Sequence, residues 1–187
     1  MNLTAALAAI AAWLAVCLVS IRRPETAPWP PPIGSAFTAL WAWGVTILLY
    51  FGIVRMGLPH LPQGVGTAPL RWTIGGGLSI AGSVLQGAAV AQLGFRRTSG
   101  WNTARPETSR LYARMRHPQY AGQALFFAGW AVLTLDPLTM ALCLAAGVLL
   151  VAVGWTEDHV HRSRDAAAWA RYQDSVPGWL PKREPSQ

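Results

Sequence analysis

Charge is what this sequence has least of. Asp, Glu, Lys and Arg make up 12% of its 187 residues, about half the share in an ordinary soluble domain. Acidic residues are scarcer still, 8 against 15 Lys and Arg. There are two cysteines, Cys17 and Cys143, and both lie in apolar runs; this excludes a disulfide framework and a cysteine zinc site and leaves two small buried hydrophobes. No Walker, dinucleotide-binding or zinc signature occurs and nothing repeats at a fixed period. Gly75-Gly76-Gly77 follows no strand pattern, so it is not a phosphate loop.

What fills the chain instead is apolar residues, 52% of the total. Because the charges are clustered, four long uncharged runs remain: Asn2 to Ser20, Phe37 to Val54, Thr73 to Phe95 and Pro137 to Thr156. Each approaches or exceeds the length that crosses ~30 Å of hydrocarbon as a helix. A fifth, shorter run, Tyr120 to Leu135, is separated from the fourth by Asp136-Pro137, a turn signal that predicts an antiparallel helical hairpin. At ~1.5 Å per residue its first arm falls short of a full bilayer core, so it should be partly sheltered by other helices. The first run has no basic residue before it and Arg22-Arg23 after it, the reverse of a secretory signal, and is expected to be a retained helix. The fold class expected is therefore an all-α integral membrane protein with about five transmembrane helices, a short hairpin and a cytoplasmic amphipathic helix.

The net charge of +7 suits the anionic inner face of a membrane better than nucleic acid once spans are present. Segments 21–36, 94–119 and 155–187 carry thirteen of the fifteen basic residues, including Arg105, Lys182 and Arg183; only Arg55 and Arg71 fall elsewhere. The positive-inside rule then predicts these three segments in the cytoplasm and the amino terminus outside. Pro24 to Ser35 holds five prolines and is expected to be an extended linker. His60, in a Pro- and Gly-rich external loop, is expected at the surface. In the third run Gly75, Ser79, Ser83, Gly87 and Ala91 recur every four residues, which predicts close packing on another helix, and Gln86 needs a polar partner. Trp29, Trp72, Trp101, Trp155 and Trp179 sit near span ends, where interfacial anchoring explains them.

The chemistry-bearing segment begins after the third run, at Phe95-Arg96-Arg97, and ends in Arg116-His117-Pro118-Gln119-Tyr120. Pro118 is placed to open a helix, whose amino terminus beside Arg116 would cradle a carboxylate or phosphate. Positive-inside arginine and an interfacial histidine account for the same residues without function. The hairpin returns Glu157-Asp158 to the same surface, either to bind a ligand or to pair with the arginines. From Glu157 to about Ser175 a helix is expected, with Trp169, Tyr172 and Val176 on one face and Pro177 ending it.

Tyr112-Ala113-Arg114-Met115-Arg116-His117-Pro118-Gln119-Tyr120, a helical hairpin, Glu157, then Trp169-Ala170-Arg171-Tyr172 and Val176-Pro177 resemble the catalytic core of the isoprenylcysteine carboxyl methyltransferases and their phospholipid methyltransferase relatives. The resemblance covers about residues 96 to 181. It implies an amino-terminal unit of three spans, 1–93, and a methyltransferase core, 94–187. It further implies an S-adenosylmethionine pocket reached from the cytoplasm, formed by Tyr112, Arg116, His117, Pro118, Gln119, Tyr120 and Glu157, and a membrane lipid or lipophilic acceptor arriving from the bilayer. The chain departs from that pattern at Arg110, where a glycine is usual, at Glu157-Asp158 in place of Glu-Glu, and at Trp169 in place of a tyrosine. Val153 stands where the carboxyl-methylating enzymes carry an arginine for the substrate carboxylate, which argues against a prenylcysteine acceptor. A membrane reductase of the sterol-reductase type and a non-catalytic membrane subunit are the alternatives.

Overall fold

The computed structural model describes residues 2–101 and 106–181, so Arg105, Lys182 and Arg183 lie outside the described residues. The secondary structure among those described is helical: α1 (Asn2–Arg22), α2 (Ala36–Gly57), α3 (Gly77–Leu93), α4 (Phe95–Thr98), α5 (Pro118–Thr134), α6 (Pro137–Arg164) and α7 (Ala166–Ser175). A π-type turn, Arg71–Gly76, runs directly into α3. Four helical stretches are long and apolar enough to cross a membrane: Asn2–Arg22, Ala36–His60, Arg71–Leu93 and Pro137–Arg164. The fifth expected span, α5, has 17 residues, or ~25 Å. It is indeed sheltered, lying between α3 and α6 with Phe127, Trp130 and Leu133 buried.

The hairpin forms for local reasons. Leu135 turns the chain in the left-handed region (φ 46°), and the Asp136 carboxylate caps α6 by accepting the Thr139 N–H at 2.8 Å. Pro137 follows at the first helical position, where a missing N–H costs nothing. Arg71 donates to the carbonyls of Leu133 and Thr134, placing a cation on the negative end of α5. His60 is exposed, as expected, with Nε2 3.6 Å from Asp136 Oδ1.

The packing stripe on α3 differs from the expected one. Gly75, Ser79, Gly82 and Ala89 are buried, whereas Ser83, Gly87 and Ala91 are exposed. A spacing of four advances ~40° beyond a full turn at each step, so a contact line must alternate steps of three and four. Along it α3 meets α5 almost backbone to backbone: a Cβ on Gly129 would lie 2.5 Å from Gly75 O and from Ser79 N. Gln86 finds the expected polar partner, accepting from the Tyr50 hydroxyl at 2.9 Å.

One further boundary differs. The helix does not stop with the apolar run at Glu157-Asp158; α6 continues to Arg164 and breaks at Asp165, whose carboxylate caps α7 through the Ala168 N–H at 3.0 Å. Twenty-eight residues at ~1.5 Å each exceed the hydrocarbon thickness, so the last turns of α6 stand clear of the core. Trp169, Tyr172 and Val176 are buried together as expected.

Candidate functional site

The three basic segments meet at one end of the bundle. Arg164 donates to the Pro24 carbonyl at 2.8 Å, Arg116 to the Val176 carbonyl at 2.6 Å, and the backbone N–H groups of Arg116 and His117 to the carbonyls of Pro177 and Gly178 at 2.9 and 3.0 Å. Between them opens a cleft whose walls come from all three segments.

Six of the seven expected residues line this cleft: Tyr112, Arg116, His117, Gln119, Tyr120 and Glu157. Pro118 does not; it is fully buried at the first position of α5 and sets the start of that helix. Consecutive acidic residues on a helix point ~100° apart, and here the two take different tasks. Asp158 turns to Arg116, whose Nη2 and Nε donate to Oδ2 at 2.9 and 3.2 Å. The remaining arm of the guanidinium, Nη1, goes to the carbonyls of Gln173 and Val176. Arg116 therefore ties the end of α7 to α6, with most of its donors engaged inside the protein.

Glu157 faces the cleft. Its Oε1 accepts from Tyr120 Oη and, at 2.8 Å, from Trp29 Nε1. Its Oε2 accepts no hydrogen bond from a described residue and lies 3.8 Å from His117 Nδ1. His117 is 6% exposed; its Nε2 stands 3.3 Å from Asp158 Oδ1 without the alignment of a hydrogen bond, which leaves both atoms unsatisfied. The ring lies between Tyr120 and Trp179, at centroid distances of 5.9 and 5.4 Å. Gly154 permits this: a Cβ there would fall 3.3 Å from the imidazole and 2.8 Å from Trp179.

Tyr112 is held from behind, its carbonyl accepting the Tyr172 hydroxyl at 2.8 Å. Burial pushes both phenols above their ordinary pKa, so they act as neutral donors. Across the cleft Arg97 meets Glu107 at 2.7 Å. The Ser109 hydroxyl first, then its N–H and the charge of Arg97, hold the Glu107 carboxyl below the ordinary carboxylate range against the opposing effect of burial.

Several of the described lining groups escaped sequence reasoning. Trp29, taken there as an interfacial anchor in a mere linker, is 6% exposed; its N–H groups bond Ser20 Oγ and Glu157, so the proline-rich segment is a wall of the site. No local signal marks it beyond the stiffness of five prolines. Arg97 and Glu107 belong to the basic loop but carry no motif spacing. His161, one turn after Glu157, stacks on Trp169 with centroids 4.2 Å apart and planes 2° from parallel. Its i+4 position from Glu157 was the available signal.

A second cavity lies deeper in the bundle and shares Trp29, Thr98, Gln119 and Tyr120 with the cleft. Its other walls come from the spanning helices, among them Trp13 of α1, Leu49 of α2, Gln123 of α5 and Val153 of α6. Among the described residues no cluster of His, Cys, Asp and Glu is arranged to hold a metal ion.

Comparison with curated proteins and with solved structures gave no match. The phospholipid methyltransferase family pattern matches residues 70–163, from the start of the third span through the hairpin to the residues just beyond Glu157-Asp158. That stretch is half of the chain and contains every expected site residue, and the chain belongs to the phospholipid methyltransferase family of membrane methyltransferases.

Proposed function

We propose that the cleft binds S-adenosylmethionine and that the chain transfers its methyl group to a lipid or lipophilic small molecule held in the second cavity. The observation that carries this reading is the pair of adjoining cavities: one charged and open at the end of the bundle, the other within the spanning helices, with Trp29, Thr98, Gln119 and Tyr120 between them.

The donor set fits the cofactor. S-adenosylmethionine has an ammonium, ribose hydroxyls, a carboxylate and an adenine, and it supplies an already activated sulfonium methyl, so positioning matters more than strong acid or base catalysis. Glu157 offers an uncommitted oxygen for hydroxyls or the ammonium. His117 and Arg97 supply polar and cationic partners, and Tyr112 and Trp169 offer aromatic surface. Arg116 acts by holding the carboxy-terminal segment over the cleft. The apolar side chains that the spanning helices contribute to the second cavity, among them Leu49, Leu149, Leu150 and Val153, disfavour water beside the reacting groups. The excess of basic residues at this end of the bundle supports a cytoplasmic mouth.

Calorimetric titration of the purified protein with S-adenosylmethionine and, separately, NADPH tests the reading. S-adenosylmethionine should bind, and His117→Ala and Glu157→Ala should each weaken it at least about tenfold, equivalent to ~1.4 kcal/mol. Binding of NADPH alone would favour a reductase, and unchanged affinity in both variants would move the donor site elsewhere.

A further inference from the structure

Glu157 gives the cleft one oxygen, and the group that keeps it there lies far away in the chain. A glutamate side chain turns about three bonds, and a ligand that must freeze those rotations on arrival binds more weakly. Here the rotations are restricted in advance. Oε1 accepts from two donors carried by separate elements: Tyr120 Oη, in the first turn of α5, and Trp29 Nε1 at 2.8 Å, 128 residues before Glu157. One donor fixes a distance, whereas two from different directions restrict the rotation of the carboxylate. Oε2, 3.8 Å from His117 Nδ1, is left for the cleft.

The two donors are not equivalent. A phenol hydroxyl turns about its C–O bond and can also accept, while an indole N–H only donates, along one direction set by its ring. The placement of the Trp29 ring therefore decides where the carboxylate is held, and that placement is fixed at several points. Its backbone N–H donates to the buried Ser20 Oγ at 3.1 Å. Arg164 secures the start of the same segment through the Pro24 carbonyl at 2.8 Å, and five prolines between residues 24 and 35 stiffen it. The ring meets Trp13 edge-on, with centroids 5.5 Å apart and planes at 87°. It also packs on Gly100, where a Cβ would fall 3.1 Å from Trp29 Cζ3.

Building on the reading of the cleft as the donor site, we propose that Trp29 is a positioning residue for that site. Its indole N–H orients the Glu157 carboxylate toward the hydrogen-donating groups of the cofactor, so the segment joining α1 to α2 is part of the donor site. Preorganisation of a binding group by a second, rigidly packed residue is what such sites require. Trp29 lines both cavities, and it acts from the wall between them.

The test follows the indole and the affinity separately, on the full chain in detergent. With the indole nitrogens isotope-labelled, the Trp29 N–H resonance is the one missing from the Trp29→Phe spectrum. It should move in Glu157→Ala, and move again in the wild type on saturation with S-adenosylhomocysteine, which carries the same ammonium, ribose and adenine without the reactive methyl. A resonance unmoved in Glu157→Ala overturns the proposal. By calorimetry Trp29→Phe, which keeps an aromatic ring and loses the N–H, should weaken S-adenosylhomocysteine about fivefold or more. In the Glu157→Ala background the same change should cost less than about twofold, because a residue that acts through another loses its effect once the other is gone. Wild-type affinity in Trp29→Phe overturns the proposal, and so does an equal loss in both backgrounds, which a merely structural wall would give. Should Trp29→Phe fail to fold, the shift between wild type and Glu157→Ala decides, since Trp29 is the described indole that donates to Glu157. No binding of S-adenosylmethionine or S-adenosylhomocysteine by the wild type, with the indole still responding to Glu157→Ala, would overturn the donor reading and leave Trp29 as the group that sets the carboxylate.

Discussion

At the scale of single residues, neighbours in sequence are divided by the geometry of the helix. Asp158 is consumed by the Arg116 fork while Glu157, one residue earlier, keeps an oxygen facing the cleft. Arg116→Lys would keep the charge but lose the fork that reaches Asp158 and two carbonyls at once. Hydrogen bonds to charged groups contribute ~1.5–3 kcal/mol each, so this variant should loosen α7 and the segment after it. Hydrogen exchange over residues 166–178 should accelerate while the hairpin stays protected; unchanged exchange would mean the fork is not what holds α7. Glu107 allows a pH prediction. Its carboxyl is held below its ordinary range by Ser109 and Arg97, so its contribution to the loop is fully present above the unfolded carboxylate pKa and is lost as pH falls through the lowered folded value. Protection against exchange in residues 107–113, corrected for the intrinsic pH dependence of exchange, should therefore be steady from neutral pH down to the ordinary glutamate pKa, fall as pH drops from there toward the lowered folded value, and level off below it. Glu107→Gln should remove that acid transition.

At the scale of elements, α3 and α5 determine how closely the cleft-lining segment can be held. Their approach depends on glycines that leave no room for a side chain: a Cβ on Gly122 would sit 2.5 Å from Gln86 N, and one on Gly129 equally close to Gly75 O. Because the obstructing atoms are backbone, the helices themselves must separate. Overpacking of this kind costs about 1–3 kcal/mol, and Gly129→Ala should lower the thermal midpoint in detergent measurably. Gly87→Ala, on the open face of α3 where a Cβ meets nothing within 4 Å, should leave it unchanged or raise it slightly. Equal effects of the two would contradict the observed packing line. Much of this level was readable from residue order: Asp136-Pro137 announced the hairpin, and Pro118 announced the start of α5. The error lay in extending the small-residue stripe by fours, which a period of 3.6 carries off the contact.

At the scale of the molecule, the ends of the bundle have different character. One gathers Arg97, Arg116 and Arg164 with the three connecting segments; the other holds Arg71 on the carbonyls that end α5. If the basic end faces the cytoplasm, cysteines introduced as Arg110→Cys and Asp174→Cys should be labelled from that side and Gln63→Cys from the opposite side. Cys17 and Cys143 are buried and should stay silent. Labelling of the first two from opposite faces would refute the arrangement.

Sequence alone determined that this is a helical membrane protein, where its apolar runs begin and end, and which motif lines the cleft, because span length, charge clustering and helix-capping residues are local properties. Only the tertiary structure decided that Trp29, 128 residues before Glu157, forms a wall of the cleft, that Arg116 is a clamp, and that a second cavity adjoins the cleft across Trp29 and Tyr120. Those facts depend on which faces of separate helices come together, and long-range packing, unlike periodicity, leaves no mark in the order of residues.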